Sequence, residues 1–501
     1  MTSPANTRLP ISDDVEAVLP AAISRAHNWL KSTADEEDKA TEQLADLLRD
    51  EDGVKFTMDF VDRVMRPEDD KVAAHALKDI SSHYDPSFLG SINGALVGAG
   101  GFFGPILPNL VMPITRIYMR KMVGHLVLDA ESESLNKTLD KAAESGEQLN
   151  LNLLGEAVLG EAEAKSRAER TLKLIQNPRV TYVSVKASSM VAQLNQWDID
   201  GSVERLKERL RPLYEEAARR NPQVFINMDM EEYHDLHLTI RLFKELMSEP
   251  EFKNLESGIV LQAYLPDTFD ALKDIAEFAK KRVAEGGAKV KVRIVKGANL
   301  SMETVQGEVH DWPLATYTNK LDVDANYYRL LDFILREEYA DSVRIGVATH
   351  NLYTAAMAYE LGKKRGVLHM MDSEMLQGMS PAQQAAVRKV FDGRQILYTP
   401  VVHAEDFDVA VSYLVRRLEE NSAPQNFLYA LFAPGEEPLA DQEETFRRAV
   451  AKRWDTFAGA RRTQNRLEED GRQAPRTGRF TNEADTDPAL APNRQWAQEA
   501  L

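Results

Sequence analysis

Two adjacent arginines, Arg416 and Arg417, are the residues in this chain best suited to bind a small anion. Consecutive helical residues point about 100° apart, so a single surface ion pair would not use both side chains. Two forked guanidinium groups directed at one place can hold a carboxylate at two points. A solvent-exposed basic turn is the simpler alternative, and the neighbouring residues decide between the two interpretations.

Eight short β-rich runs alternate with helical stretches from about residue 148, and this alternation predicts a (β/α)8 barrel. The predicted strands are residues 149–154, 180–186, 224–228, 259–264, 290–295, 344–348, 367–371 and 396–399. The length also fits, because such barrels take about 250 residues. An open doubly wound sheet is the alternative, but its usual glycine-rich turn after the first strand is missing from the sequence.

A polar side chain stands at or near the predicted carboxyl end of each strand. Active sites of such barrels lie at that end, so we expect these side chains to share one site. They are Glu156, Lys186, Asp229 with Glu231, Gln262, Arg293 with Lys296, Thr349-His350-Asn351, Glu374 and Tyr398. The segment from Arg293 to Asn299 could cradle a phosphate or an electron-rich ring with cations and backbone amides. The set therefore predicts a large anionic cofactor and a small charged substrate.

Composition limits the classes of partner and site. A formal net charge of -18 argues against a nucleic-acid partner, because binding nucleic acid requires neutralising phosphates. The absence of cysteine excludes disulfides, thiolate metal sites and a cysteine nucleophile. His234 and His237 stand three residues apart without an acidic partner in a recognised metal frame, so we predict no metal site.

The flanking segments predict three regions. Residues 1–140 are expected to form a helical arm with a glycine-rich connector at 88–112, residues 141–435 the barrel, and residues 436–501 a polar tail. The connector carries too many glycines and prolines for a simple membrane span. Residues 114–128 predict a basic amphipathic helix, for which contact with a membrane surface is the less favoured alternative.

The chain resembles the proline dehydrogenase domain of the bifunctional enzymes called proline utilization A. The resemblance rests on ordered motifs at family-like spacing: Leu153-Leu154-Gly155-Glu156-Ala157, Val185-Lys186-Ala187-Ser188, Asn227 to Glu232, Gln262-Ala263-Tyr264, Arg293 to Ala298, Tyr317 to Lys320, Ala348 to Asn351, Leu376 to Met379, Tyr398 to Val401, and Tyr413 to Leu418. Residues 480–497 look like the first stretch of the family's aldehyde dehydrogenase module. The resemblance thus implies a longer protein whose downstream module is missing from this sequence.

This resemblance implies an enzyme that uses FAD to oxidise L-proline to Δ1-pyrroline-5-carboxylate and passes the electrons to a quinone. Such an enzyme would work in the cytoplasm or peripherally at the inner membrane face. The implied catalytic and substrate-binding residues are Lys186, Arg416 and Arg417 at the carboxylate, Tyr398 and Leu376 at the ring, Asp229 as an orienting group, and Glu156 as a gate that pairs with Arg416. The implied FAD-binding residues are Arg293 near flavin N5, Gln262 at the ring edge, and Lys296, Gly297, Ala298, Thr318, Lys320, Thr349, His350, Asn351 and Glu374 around the rest.

Three residues depart from the family pattern. Asn152 stands where an aspartate is expected, Asn299 where many members place an aromatic residue, and Glu374 where glutamine is frequent. Two other functions stay open: a catalytically silent barrel that acts as scaffold or regulator, and a related flavin barrel with another substrate, such as a folate reductase. The retained Asp229, Arg293 and Tyr398 argue against a silent barrel. The Arg-Arg pair favours a compact amino-acid carboxylate over a folate.

Overall fold

Eight parallel strands close into a barrel, and a two-residue strand joins one of them from outside the ring. The strands are β1 Leu128–Asp129, β2 Gln148–Leu153, β3 Tyr182–Lys186, β4 Phe225–Asp229, β5 Ser257–Gln262, β6 Val290–Val295, β7 Val343–Ala348, β8 Met371–Leu376 and β9 Gln395–Val402. Each of β2 to β8 pairs with the next strand, and β9 pairs with β2 to close the ring. The predicted (β/α)8 barrel is confirmed.

The computed structural model describes residues 13–33, 51–67, 69–84, 100–123, 127–130, 132–155, 158–403, 410, 413, 417, 423–433, 435, 437–469 and 482–501. Glu156 and Arg416 lie outside the described residues, and so does the ion pair predicted between them.

Helices alternate with the strands around the barrel, and further helices precede the first strand and follow the last one in the chain. They are α1 Asp13–Thr33, α2 Glu51–Phe60, α3 Asp70–His83, α4 Pro108–Val123, α5 Ser132–Glu144, α6 Glu161–Gln176, α7 Ile199–Arg219, α8 Leu236–Met247, α9 Thr268–Ala284, α10 Leu300–His310, α11 Lys320–Ile334, α12 Glu337–Ala340, α13 Leu352–Lys364, α14 Pro381–Val390, α15 Phe427–Phe432, α16 Glu437–Lys452 and α17 Ala491–Ala500. Within the described ranges, no helix is both long and apolar enough to cross a membrane.

The strand predicted at 367–371 is wrong. Residues Leu368–Met370 form a 3-10 turn, and the strand is β8, Met371–Leu376. The sequence of β8 contains Asp372, Ser373 and Glu374, whereas the preceding run is apolar and imitates a buried strand. The charged side chains are tolerated because basic partners on β6 lie opposite them inside the barrel.

The helix predicted at 114–128 also has different bounds. Helix α4 begins at Pro108, within the predicted glycine-rich connector, and ends at Val123, while Leu128 belongs to β1. Helices α2 to α4 share a small apolar cluster with Leu154 and Val402, which stand at the carboxyl ends of β2 and β9. This part of the predicted arm therefore packs at the same end of the barrel as the predicted site.

Helix α1 packs against the outside of the barrel helices α13 and α14. Its buried face carries Val15, Ala22 and Trp29, and Arg25 Nε donates to Glu360 Oε1 on α13 at 2.6 Å. The first helix of the predicted arm is thus part of the main core.

The predicted polar tail contains a helix that also belongs to the main core. Helix α16 buries Phe446, Ala449 and Val450 against the barrel helices. Immediately after it, Arg453 Nε donates to Asp332 Oδ2 on α11 at 2.9 Å. Arg453, one of the basic residues of this segment, is therefore the partner of a buried carboxylate, a role that the sequence alone did not indicate.

Candidate active site

Charged side chains fill the barrel interior between β6 and β8. Lys291 and Arg293 alternate on β6, and Asp372 and Glu374 alternate on β8, so all four point to the barrel axis. Lys291 Nζ lies 2.7 Å from Glu374 Oε1 and 3.1 Å from Asp372 Oδ2. Arg293 Nε lies 2.9 Å from Glu374 Oε2. Because the interior is shielded from water, these opposite charges must satisfy one another.

Asp229 is the centre of a hydrogen-bond network above this ladder, at the end of β4. Its Oδ1 accepts from Ser184 Oγ at 3.1 Å and from Asn227 Nδ2 at 2.9 Å. Its Oδ2 accepts from Tyr398 OH at 2.9 Å, and Arg293 Nη1 lies 3.5 Å from Oδ1. Three hydrogen-bond donors and one nearby guanidinium around a buried carboxylate hold it in a fixed orientation.

Tyr398 and Arg293 stack on each other at this network. The Arg293 guanidinium carbon lies 4.5 Å from the centre of the Tyr398 ring. Burial and the neighbouring Asp229 carboxylate raise the pKa of the Tyr398 hydroxyl, so it stays protonated as a donor. Asn152 Nδ2 donates to the same hydroxyl, which gives this departure from the family pattern a structural role. Together these residues present one cationic, one anionic and one aromatic group at the barrel mouth.

Lys186 ends β3 directly beside Asp229, since the two residues are register partners. Its Nζ lies 3.1 Å from Glu231 Oε1, and 30% of its side chain is exposed. A cation with this exposure can also bind a ligand in the mouth.

Arg417 reaches the neighbourhood of His350, which follows β7. Burial lowers the pKa of His350 to about 4, and the positive charge of Arg417 contributes to the same effect. The ring is therefore neutral, and its Nε2 accepts from the backbone N–H of Leu376 at 2.9 Å. The proton must sit on Nδ1, which is buried and has no hydrogen-bond partner among the described residues. His350 thus offers a free donor on the side of the predicted cofactor.

Gln262, at the end of β5, offers a free acceptor. Its Nε2 donates to the backbone carbonyl of Glu231 at 2.7 Å, while its Oε1 is buried and unpartnered within the described structure. Leu376 packs with Met379, Leu428 and Phe432 at the other side of the mouth. Most of the side chains predicted at strand ends therefore face one region.

The residues predicted to surround the rest of the FAD include two basic side chains, Lys296 and Lys320, and two exposed loop residues, Thr318 and Ala298. Lys296 Nζ lies 2.6 Å from Asp324 Oδ1, and Lys320 Nζ lies 2.5 Å from Asp324 Oδ2. Burial lowers the pKa of Lys296 to about 8. The two lysines are close together and share a single carboxylate, which leaves positive charge for an anion.

Two of the predicted cofactor residues have structural roles that are visible without a ligand. Thr349 Oγ1 accepts from the backbone N–H of Asn351 at 3.0 Å. Asn351 Oδ1 accepts from the N–H of Thr354 at 3.2 Å and so caps α13. Glu374 is 1% exposed inside the barrel, below the mouth. Direct contact of these residues with FAD stays a prediction.

Residues that the sequence reasoning missed lie deeper in the barrel. Lys291, Asp372, Ser184 and Asn227 support the mouth but precede the strand ends. The sequence does contain a signal for Lys291 and Asp372. Charged residues occupy alternate positions within a single strand, as Lys291 and Arg293 do in β6 and Asp372 and Glu374 do in β8.

Glu232, His234 and Asp235 place one possible ligand atom each within 4.8 Å of one another. The two carboxylates already accept from Asn299 Nδ2 at 2.8 Å and from Gln196 Nε2 at 3.0 Å, respectively. We assign no metal to this group.

Replacing Glu232 with glutamine is expected to flatten the pH dependence of stability. Burial raises the pKa of Glu232 to about 7, and the charges of Glu231, Asp235 and Glu303 add to this while His234 opposes it. A raised carboxyl pKa contributes stability below its ordinary value of 4.5, and this contribution is lost as the pH rises through 7. In urea unfolding, the free energy of unfolding of the wild type should be about 2 kcal/mol lower at pH 8 than at pH 5 because of Glu232. The variant should lack this contribution.

The variant should retain the pH dependence of the other buried carboxyl groups, among them Asp235 and Asp267, whose pKa values burial raises to about 6. Equal slopes for the wild type and the Glu232→Gln variant would contradict the assignment.

Replacing Gly297 with alanine is expected to destabilise the protein by about 3 kcal/mol. Gly297 has a φ of +126°, and a Cβ would lie 2.4 Å from the Tyr264 ring. Gly146→Ala is the matched control, because its φ is +71° but nothing lies within 4 Å of the added carbon. Urea unfolding should give about 1 kcal/mol for the control. Similar losses for both variants would show that the Tyr264 contact is irrelevant.

A closed ring of eight parallel strands surrounded by helices defines the (β/α)8 barrel class, whose active sites lie at the carboxyl ends of the strands. Residues 135–430 match the proline dehydrogenase family, and the chain belongs to that family. The resemblance predicted from the motifs is confirmed.

The relatives give the same family assignment. The bifunctional protein PutA of Klebsiella aerogenes is 28% identical over 374 residues, which are 70% of this chain and 27% of that protein. The proline dehydrogenase of Deinococcus radiodurans is 26% identical over 266 residues, covering 50% of this chain and 77% of that protein. The chain thus spans about a quarter of the length of its bifunctional relative.

Solved structures share the fold. Proline utilization A from Corynebacterium freiburgense is 56% identical with a TM-score of 0.68, covering 76% of this chain and 36% of that one. Proline utilization A from Bdellovibrio bacteriovorus, solved after inactivation by N-propargylglycine, is 26% identical with a TM-score of 0.74, covering 96% of this chain and 48% of that one.

Proposed function

We propose that this chain oxidises L-proline to Δ1-pyrroline-5-carboxylate, with FAD as cofactor and a quinone as electron acceptor. The observation that carries the proposal is the family match over residues 135–430. The network of Asp229, Tyr398 and Arg293 near the carboxyl ends of the strands supports it, because a silent barrel has no need of buried charges there.

The mouth fits a flavin dinucleotide on three grounds. Gln262 Oε1 and His350 Nδ1 are a buried acceptor and a buried donor without partners in the described structure. Gly297 packs on Tyr264 without room for a side chain. Lys296 and Lys320 share Asp324 and leave positive charge for a phosphate. We propose that these residues, with Ala298, Thr318, Thr349 and Asn351, hold FAD, which supplies a two-electron acceptor when bound.

Proline would bind by its carboxylate and its ring. Lys186, Arg416 and Arg417 supply cations for the carboxylate, and Tyr398 and Leu376 border the apolar ring. Asp229 acts on the reaction by holding Tyr398 and Arg293 in place, and Arg293 supplies positive charge where the cofactor gains negative charge. No nucleophile is required, since the protein mainly binds and orients the reactants.

The Glu156–Arg416 gate stays part of the proposal. If these residues close over bound proline, Glu156→Ala should raise the proline KM and leave the flavin content unchanged. An unchanged KM would argue against a gate.

Further parts of the proposal concern the whole protein. By analogy with the bifunctional relatives, a downstream aldehyde dehydrogenase module would use the product. Transfer of electrons to a membrane quinone would place the protein in the cytoplasm or peripherally at the inner membrane face.

One spectroscopic experiment tests the proposal. The purified protein should be yellow, and L-proline should bleach the flavin absorbance without oxygen, while a soluble quinone analogue should restore it. D-proline is the matched control, because it has the same groups in the opposite hand. A colourless protein would support the scaffold alternative. A yellow protein that L-proline does not bleach would support a different substrate.

A further inference from the structure

Arg293 is the described cation most firmly fixed at the barrel mouth. Glu374 holds its Nε from below at 2.9 Å, Asp229 lies 3.5 Å from its Nη1, and the Tyr398 ring lies under its guanidinium at 4.5 Å. The Arg293 side chain is 9% exposed, so it contacts the mouth through a small part of its surface. The electrostatic effect of Arg293 on a ligand at the mouth therefore depends on the charged side chains buried behind Arg293.

Those groups are buried behind Arg293. The side chains of Glu374 and Lys291 are both 0% exposed. Glu374 divides its two oxygens between them, with Oε1 at 2.7 Å from Lys291 Nζ and Oε2 at 2.9 Å from Arg293 Nε. The Lys291 ammonium also lies 3.1 Å from Asp372 Oδ2, and Arg344 Nη2 lies 2.5 Å from the same oxygen. The charges thus alternate in sign from the barrel floor to Arg293.

Among the described residues, the network contains three cations and four carboxylates. Lys291, Arg293 and Arg344 face Asp229, Glu374 and Asp372, and Arg344 Nη1 also lies 2.8 Å from Glu256 Oε1 at the floor. Inside a barrel shielded from water, the removal of one charge is felt strongly by the next one, because the local dielectric constant is low.

We propose that Glu374 and Lys291 are positioning residues that set the reduction potential of the bound flavin through Arg293. The inference rests on the proposed function, because it requires a flavin at the mouth. Glu374 partly neutralises the charge of Arg293, whereas Lys291 weakens that neutralisation because it pairs with the same carboxylate. A purely structural ion network would stabilise the fold and leave the potential unchanged.

The sign of each effect follows from charge. Glu374→Gln keeps the size of the side chain but removes its negative charge, so Arg293 presents more positive charge to the reduced, electron-rich cofactor. The potential should become more positive. Lys291→Gln removes a positive charge and should make the potential more negative. Asp372→Asn is the matched control, since Asp372 contacts Lys291 but not Arg293. Its shift should follow the direction of Glu374→Gln and be smaller.

The test is a spectroelectrochemical titration of the FAD-loaded protein at constant pH, with thermal unfolding measured on the same samples. Glu374→Gln should increase the equilibrium constant for flavin reduction about tenfold, which is about 30 mV for a two-electron couple. Asp372→Asn should change it by less than about threefold, and Lys291→Gln should lower it.

Equal potentials for the wild type and a folded, flavin-loaded Glu374→Gln variant would overturn the inference, whatever the unfolding temperatures. If Lys291→Gln does not fold, the comparison of Glu374→Gln with Asp372→Asn decides alone, and equal shifts in these two overturn the inference. A wild-type protein that binds no flavin overturns the proposed function as well. A wild-type flavin that proline cannot reduce overturns the proposed substrate but leaves the potentials as a valid test.

Discussion

Replacing Asp332 with alanine is expected to lower the free energy of unfolding by about 3–5 kcal/mol, because buried cations would lose their partner. Asp332 is 1% exposed on α11. It accepts from Arg365 Nη2 at 2.6 Å, from Arg453 Nε at 2.9 Å and from Trp454 Nε1 at 2.9 Å. The single carboxylate therefore joins α11 to the end of α13 and to the segment after α16. Urea unfolding measures the loss.

Asp274→Ala is the matched control for this variant. Asp274 accepts from Lys244 Nζ at 2.8 and 2.9 Å, but its side chain is 52% exposed, so its removal should cost under about 1 kcal/mol. The pH dependence gives an independent check. Although burial opposes it, hydrogen bonds to Arg365 and Arg453 hold the pKa of Asp332 below 3.8. The Asp332 contribution is thus present above pH 3.8 and lost as the pH falls further. Equal losses for Asp332→Ala and Asp274→Ala would contradict the burial argument.

Replacing Arg417 with methionine is expected to raise the proline KM about 100-fold, while the flavin content stays unchanged. The expected cost is about 3 kcal/mol, the value of a charge-assisted hydrogen bond to the substrate carboxylate. Methionine keeps much of the apolar stem that lies near the Tyr413 ring, over which the Arg417 guanidinium sits at 5.1 Å. Anaerobic flavin reduction at increasing proline concentrations measures the apparent affinity.

Arg205→Met on α7 is the control, because the Arg205 side chain is 45% exposed on the outside of the barrel. A second readout is the titration of His350, whose pKa the Arg417 charge helps to lower. In Arg417→Met that pKa should rise. An unchanged proline KM combined with a raised His350 pKa would show that Arg417 lies at the mouth but does not bind substrate.

The barrel could be predicted because seven of its strands have recognisable patterns. Six contain β-branched apolar residues, as β6 does from Val290 to Val295, and β2 alternates leucine with polar residues. The strand β8 could not, because Asp372 and Glu374 look like loop residues until Lys291 and Arg293 are placed opposite them. Side-chain contact between β6 and β8, two strands that are not neighbours in the sheet, is information that local periodicity lacks.

The positions of the candidate site residues along their strands could be predicted only in part, and whether they act as a site stays a prediction. Lys186, Asp229 and Gln262 do end their strands, whereas Arg293, Glu374 and Tyr398 lie inside β6, β8 and β9. Periodicity shows which face a residue occupies, and it does not show how far below the mouth it lies. The same limit applies to Arg453, whose partner Asp332 is 121 residues away and was not apparent from the sequence.

The two-residue strand β1 has a consequence for shortened versions of this protein. β8 pairs with β9 only up to Tyr398, and β1 takes the vacated side at Val401 and Val402. A version starting at Gln148 would keep all eight strands of the ring. It would lack β1, so Val401 and Val402 of β9 would have no neighbouring strand on that side within the described structure. Because such a version would also lack α1, which belongs to the main core, we expect it to be less stable than the full chain, with a second local defect at the carboxyl end of β9.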